Sequence, residues 1–177
     1  LPDGRWNVVT NKGSVIAEHV VNAAGCYAPQ LGKMVGYEVP IVSVIHQYLV
    51  TEAIPEVAEL DFDLPVIRDP RASCYYRREI DGLIVGPYER EGAELYGVDG
   101  IDWDLHFYLT PPNHDVLLPW LELAAKRIPV FAEAGIHTTV SDPITHTPDS
   151  GYLMGPAPGL RNYWVCAGAS IGVTQGP

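Results

Sequence analysis

The fold is decided by one short stretch, Val20-Val21-Asn22-Ala23-Ala24-Gly25. It closes a β run that is predicted to be continuous from Val15 to Asn22, and small residues and a glycine follow that run. In α/β proteins such a strand end brings the backbone close to a cofactor, because no large side chain stands in the way. A short helix is predicted next, over residues 27–35 and ending near Gly36. On the pattern alone, an ordinary turn glycine is the alternative at Gly25.

The other end of the chain repeats this arrangement. Residues 162–167 predict a strand, which runs into the glycine-containing stretch Gly168-Ala169-Ser170-Ile171-Gly172. That stretch is typical of a turn that leads into a helix N-terminus, where free backbone N–H groups can bind a phosphate or the edge of a cofactor ring. The two ends together predict α/β structure on either side of a central region.

The central region predicts antiparallel structure. Residues 41–51 form a β-branched run, and residues 73–88 predict a hairpin that turns at Asp81-Gly82. A further strand is predicted over residues 136–140. Residues 89–112 are acidic and irregular, and we expect a loop with a short helix there. The fold class is therefore α/β with α+β, in which one domain interrupts another.

One longer helix is predicted within the central region. Asn113 is a suitable N-cap, and the apolar residues that follow it recur at helical spacing. Pro119 implies a kink or a later start, and Pro129 ends the helix.

Composition and motifs exclude several classes of function. The formal net charge of −11 argues against a nucleic-acid partner, and no apolar stretch approaches the roughly 18 residues of a membrane span. The absence of CxxC and HExxH argues against a metal site, and GxGxxG, GxSxG and Walker A motifs are absent too. Cys26, Cys74 and Cys166 are expected to be buried, reduced thiols. Because the chain starts at Leu1 and stops at Pro177, we expect a piece of a longer protein.

Two pairs of side chains are candidates for chemistry. His46 and Tyr48 share one face of the strand at 41–51, where they would offer a proton acceptor and a phenol donor. Tyr75 and Arg77 also share a face, and Tyr-x-Arg on a strand can hold a carboxylate. A hydrogen-bonded core histidine and a solvent-facing strand are the alternatives that the pattern leaves open.

Ordered segments of the chain resemble a known family. VVNAAG at 20–25 with Tyr27-Ala28 is similar to a segment of the D-amino-acid-oxidase-like FAD-dependent oxidoreductases. His46-Gln47-Tyr48 with Val50-Thr51 resembles a strand of the dimethylglycine and sarcosine dehydrogenase group within them. The resemblance continues through later segments: Tyr75-x-Arg77, Gly86-Pro87-Tyr88-Glu89, Pro143-Ile144-Thr145, Pro148-Asp149, Met154-Gly155-Pro156 and 161–165.

The resemblance implies a split FAD-binding domain with an inserted antiparallel-sheet substrate domain. The FAD-binding parts would be residues 1–40 and 146–177, and the substrate domain residues 41–145. His46 and Tyr75 match the active-site histidine and tyrosine of the family, while Tyr48 and Arg77 would bind substrate. The residues expected to contact FAD are Ala24, Gly25, Gly168, Ala169, Ser170 and Gly172.

The resemblance also implies a reaction, in which the C–N bond of an N-methylated glycine is oxidised by hydride transfer to the flavin. The FAD could be covalently linked, tetrahydrofolate could bind to domains outside this chain, and the electron acceptor would be an electron-transfer flavoprotein or oxygen. A bacterial cytoplasm or a mitochondrial matrix would suit such an enzyme, and this chain alone is expected to be inactive. The alternatives are a non-catalytic regulatory homologue with the same fold, and an oxidase of another amino acid.

Overall fold

A computed structural model describes residues 1–89, 93–105 and 109–170 of the chain. These residues divide into two compact units. The first unit comprises Leu1–Val44, Leu95–Leu105 and the described residues from Ile144 onward. The second comprises the described residues of Ile45–Glu94 and His106–Pro143. The segment Leu95–Leu105 thus belongs to the first unit, although it lies inside the predicted substrate domain. The FAD-binding and substrate-binding roles assigned to the domains stay predictions.

Short strands predominate over helices in both units. The strands are β1 (Trp6–Thr10), β2 (Gly13–Ala17), β3 (Val20–Asn22), β4 (Val42–Thr51), β5 (Ile67–Asp69), β6 (Cys74–Glu79), β7 (Gly82–Pro87), β8 (Leu95–Tyr96), β9 (Ile136–His146), β10 (Leu153–Pro156) and β11 (Tyr163–Ala167). The α-helices are α1 (Ala28–Met34), α2 (Pro55–Ala58) and α3 (His114–Arg127), and 3₁₀ turns cover Gly25–Tyr27 and Pro129–Glu133. No helix in the described part of the chain is long and apolar enough to cross a membrane.

The first unit is built around a parallel pair of strands. β3 pairs in parallel with β11, so that Tyr163 lies opposite Val20 and Val165 opposite Asn22, and β10 adds an antiparallel strand. Tyr163 and Val165 are buried in a small core with Ala28 of α1. Because β3 and β11 run the same way, their carboxyl ends meet at one edge of this sheet. The predicted α/β character of the chain ends is confirmed.

Two features of the first unit differ from the prediction. The β run expected to be continuous from Val15 to Asn22 is broken at Glu18 and His19, because β2 pairs with β1 whereas β3 pairs with β11. β10 was not predicted, since its glycine and proline weaken the strand pattern.

The second unit contains an antiparallel sheet in the order β5-β6-β7-β4, and β9 also pairs with β4. The predicted alternation along β4 is confirmed: Gln47 and Leu49 are buried, whereas His46 and Tyr48 lie on the half-buried face. Gln47 is satisfied in the core, because its amide bonds both backbone groups of Asn113, at 2.6 Å to the N–H and 3.3 Å to the carbonyl. The inner face packs against α3 through Ala124, together with the apolar cluster Leu49, Ile54, Val57, Ala72, Cys74, Tyr76, Leu83, Val85 and Phe131.

The hairpin of β6 and β7 is confirmed, but its turn is shifted by one residue. Glu79 pairs with Gly82, so the loop consists of Ile80 and Asp81, and Gly82 is the first residue of β7. Gly82 is a glycine for another reason: a Cβ there would lie 2.7 Å from the Thr51 hydroxyl. The small residue thus serves the close approach of β4 rather than the turn.

The helix after Asn113 begins where predicted. The Asn113 side chain accepts a hydrogen bond from the Val116 N–H at 3.3 Å, as an N-cap residue does. Pro119 lies inside α3, so the later start allowed for it is wrong, and the helix ends at Arg127, before Pro129.

Three further expectations need correction. The short helix expected within 89–112 is absent from 93–105 and 109–112, where the chain forms β8 and turns. The strand predicted over 136–140 continues to His146. Of the cysteines, Cys74 is buried, whereas Cys166 is exposed because it alternates with the buried residues of β11.

Candidate active site

A histidine–carboxylate pair lies on the half-buried face of β4. His46 Nδ1 is 2.8 Å from Glu89 Oε2, and Glu89 Oε1 accepts the backbone N–H of Gln47 at 3.0 Å. The Glu89 side chain is only 3% exposed. A carboxylate accepts hydrogen bonds, so this contact assigns a proton to Nδ1, and in the neutral ring the lone pair is then on Nε2. The pair therefore presents an oriented proton acceptor.

Two tyrosines enclose this histidine. The Tyr88 ring stacks on His46, with ring centroids 5.9 Å apart and planes 20° apart. The Tyr75 centroid is 5.5 Å from that of Tyr88 and 6.2 Å from that of His46. Burial, helped by the neighbouring phenols, raises the pKa of Tyr75 to about 12. Tyr75 thus keeps its proton at neutral pH and can donate a hydrogen bond to an anion. We call His46, Tyr75, Tyr88 and Glu89 the His46 cluster.

A glycine on the neighbouring strand makes room for Tyr75. Gly86 lies opposite Tyr75 in the β6–β7 register, and a Cβ built on Gly86 would overlap the Tyr75 ring. The ring therefore lies across the bare backbone of β7. A side chain at position 86 would displace it from the cluster.

Tyr88 is held by a residue with an unusual backbone. The Ser73 hydroxyl donates to the Tyr88 carbonyl at 3.0 Å, and the Tyr88 N–H donates to the Ser73 carbonyl at 2.7 Å. Ser73 has a φ of 50°, in the left-handed region that L side chains rarely adopt. Such a backbone conformation typically costs about 1–3 kcal/mol. The two hydrogen bonds hold the Tyr88 backbone beside Ser73.

Tyr48 and Arg77, predicted to bind substrate, both line an open depression of about 470 Å³. Arg77 shares a strand face with Tyr75 as expected, but its guanidinium pairs with the Glu79 carboxylate at 2.8 Å. A different arginine contacts the His46 cluster: the guanidinium carbon of Arg68 lies 5.4 Å above the centre of the Tyr88 ring.

The described residues predicted to contact a cofactor lie in the first unit. The buried Asn22 closes the end of β3, since its amide donates to the Ala28 carbonyl at 2.9 Å and its oxygen accepts the Ala24 N–H at 3.4 Å. Gly25 follows with a φ of 56°, and a Cβ there would meet nothing within 4 Å. The backbone at Gly25 is therefore open to a ligand.

The end of β11 forms the second part of this edge. Gly168 has a φ of 83° and no room for a Cβ, which would overlap the Thr147 methyl group. The Ser170 N–H returns to the Gly168 carbonyl at 3.0 Å, and Ala169 is exposed. Gly172 lies outside the described residues.

Sequence reasoning missed three residues of the site. Glu89 and Tyr88 stand directly after the apolar run of β7, and an acidic residue at the end of a buried strand was a usable signal. Arg68 lies on a strand of only three residues, which carries no periodicity.

Comparison with known proteins gives a consistent family. Residues 2–177 match the family model described as FAD dependent oxidoreductase. The chain is 44% identical to mouse mitochondrial dimethylglycine dehydrogenase, over 97% of this chain and 20% of that protein. It is 36% identical to mouse mitochondrial sarcosine dehydrogenase, over 96% of this chain and 18% of that protein.

A solved structure extends the comparison to the fold. L-proline dehydrogenase from P. horikoshii superposes with a TM-score of 0.67 at 26% identity, covering 93% of this chain and 40% of that one. The chain spans about a fifth of the length of the two mouse relatives. With the family model matching residues 2–177, the chain belongs to the DAO family of FAD dependent oxidoreductases.

Proposed function

We propose that this chain supplies the substrate-binding side of an FAD-dependent enzyme that oxidises the C–N bond of N-methylated glycine, either dimethylglycine or sarcosine. The observation that carries the proposal is the His46–Glu89 pair beside the protonated Tyr75. The names of the two mouse relatives support the same class of substrate.

The edge formed by β3 and β11 fits the cofactor of the family. Two parallel strands end there side by side, and the backbone of Gly25 faces open space that a ligand can fill. Gly25, Ala24, Gly168, Ala169 and Ser170 would hold part of the FAD, and Gly172 is proposed with them. When bound, FAD supplies the acceptor for the hydride.

His46 prepares the substrate amine in this proposal. An N-methylated amine is largely protonated in neutral water, and its nitrogen must lose that proton before a neighbouring carbon can give up a hydride. Nε2 of His46 takes the proton, because Nδ1 is already committed to Glu89. The buried carboxylate of Glu89 then stabilises the imidazolium and keeps the ring in place.

The substrate carboxylate needs a separate set of donors. The Tyr75 phenol, which stays protonated well above neutral pH, would donate one hydrogen bond to it. Tyr48 lies on the same half-buried face of β4 as His46 and is proposed to line the site. Arg77 was the cation predicted from the sequence to bind this carboxylate. Its guanidinium already pairs with Glu79, so which cation serves the site is a separate question.

The later steps are proposed for the complete enzyme. An electron-transfer flavoprotein or oxygen would take up the electrons, and the imine would be hydrolysed or lose its one-carbon unit to tetrahydrofolate. The FAD is proposed to be covalently linked there.

The experiment replaces His46 by glutamine in the complete holoenzyme. Flavin content should stay at the wild-type level, whereas anaerobic reduction by dimethylglycine should slow by roughly a hundredfold or more. Normal reduction by the variant would refute the role of His46. A wild-type flavin that no amine reduces would instead favour a non-catalytic regulatory homologue.

A further inference from the structure

We infer that Arg68, and not Arg77, supplies the cation that binds the substrate carboxylate. The inference deepens the proposed function, and it rests on that function for the nature of the substrate.

The register of the sheet brings Arg68 to the His46 cluster. β5 pairs with β6 so that Arg68 lies directly opposite Tyr75. Directly opposed residues of antiparallel strands project from the same face, with their Cβ atoms about 5 Å apart. The guanidinium carbon of Arg68 lies 5.4 Å above the centre of the Tyr88 ring, whose other neighbours are His46 and Tyr75.

Arg68 also has its charge available. Within 1–89, 93–105 and 109–170 its guanidinium makes no ion pair, whereas that of Arg77 is 2.8 Å from Glu79. The carboxylate next to Arg68 in the chain, Asp69, is engaged elsewhere, with Arg127 at 2.6 Å. A cation that no carboxylate of the described residues neutralises, in a chain of net charge −11, suits an anionic ligand.

The chemistry of a glycine fits this arrangement. One carbon separates its amine from its carboxylate, so both groups must be recognised within a single small cluster. The planar fork of Arg68 matches the two oxygens of a carboxylate, and the Tyr75 phenol adds a third donor. The amine is then left to Nε2 of His46. The cation–π contact with Tyr88 holds the guanidinium beside the cluster before a ligand binds, which limits the entropy lost on binding.

This assignment predicts a loss that depends on the substrate carboxylate. In the complete holoenzyme, Arg68→Gln should raise KM for dimethylglycine by roughly ten- to a hundredfold, with a much smaller change in kcat. Oxidation of N,N-dimethylglycinamide, which carries no negative charge, should change less than threefold by the same reasoning. Arg71→Gln, an exposed arginine three positions along the chain, is the matched control and should behave as wild type with both compounds.

Binding of acetate, followed by calorimetry on wild type, Arg68→Gln, Arg71→Gln and Arg77→Gln, separates this inference from the proposed function. Wild type and Arg71→Gln should bind acetate, and Arg68→Gln should bind it at least tenfold more weakly. That result would support the site even if no N-methylated glycine reduced the flavin. Three results would overturn the inference: equal acetate affinity for wild type and Arg68→Gln, no binding by wild type, or a larger loss in Arg77→Gln than in Arg68→Gln.

Discussion

Replacing Glu89 by glutamine tests the orientation of His46 with a minimal change of shape. Glu89 contacts His46 Nδ1 at 2.8 Å and the Gln47 N–H at 3.0 Å, and its side chain is almost fully buried. In the variant, the amide oxygen can still accept from Gln47, so the amide NH₂ turns toward Nδ1. Nδ1 must then accept a hydrogen bond, the ring proton moves to Nε2, and the proton acceptor of the site is lost.

The magnitude follows from the two effects of this change. A hydrogen bond to a buried charged group contributes about 1.5–3 kcal/mol, so unfolding should become easier by about that amount. The wrong histidine tautomer removes general-base catalysis, which contributes roughly a hundred- to ten-thousandfold in rate. The variant should therefore fold and bind FAD, but reduce its flavin at least a hundredfold more slowly.

Stopped-flow reduction of the holoenzyme by dimethylglycine without oxygen measures this rate. The matched control is Glu79→Gln, since Glu79 is a more exposed carboxylate on the same sheet and pairs with Arg77. It should change stability by less than about 1 kcal/mol and leave the rate within about threefold. A rate for Glu89→Gln within threefold of wild type would refute the role given to this carboxylate.

Three other predictions concern the cluster and its support. Gly86→Ala should displace the Tyr75 ring and raise KM for dimethylglycine, with loss of the ring contacts visible in a crystal structure. The free energy of unfolding should fall as pH rises from 10.0 toward about 12, because folded Tyr75 keeps a proton that the unfolded chain releases. In Tyr75→Phe the free energy of unfolding, measured by denaturation, should fall less steeply with pH. An unchanged pH dependence would argue against the raised pKa of Tyr75. Asn113→Ala should lower the free energy of unfolding, measured in urea, by about 0.5–2 kcal/mol, because the Val116 N–H loses its capping acceptor. Asn113→Asp, which keeps a side-chain oxygen there, should retain most of the wild-type stability.

The strongest sequence signal in this chain was strict alternation. Along β4 the period of two assigned His46 and Tyr48 to one face and Gln47 and Leu49 to the other, and burial follows that division. The signal is clear because one face of the strand packs on a core, which penalises any other register.

The rest of the site depends on which strands pair. Arg68 reaches the cluster only because β5 pairs with β6 in one register, and Glu89 reaches His46 only because β7 ends beside β4. Which strands pair does not change the hydrophobic periodicity of a sequence, so neither pairing could be predicted from it. For Arg77 the strand face was predicted correctly. Its ion pair with Glu79, two residues along the same strand, was overlooked.

The central proposal is tested most directly by the flavin of the complete wild-type holoenzyme under nitrogen. Addition of dimethylglycine or sarcosine should bleach the absorbance of oxidised FAD, while unmethylated glycine and D-alanine should act far more slowly. Reduction by glycine or D-alanine at a comparable rate, or no reduction by either N-methylated glycine, would contradict the proposal.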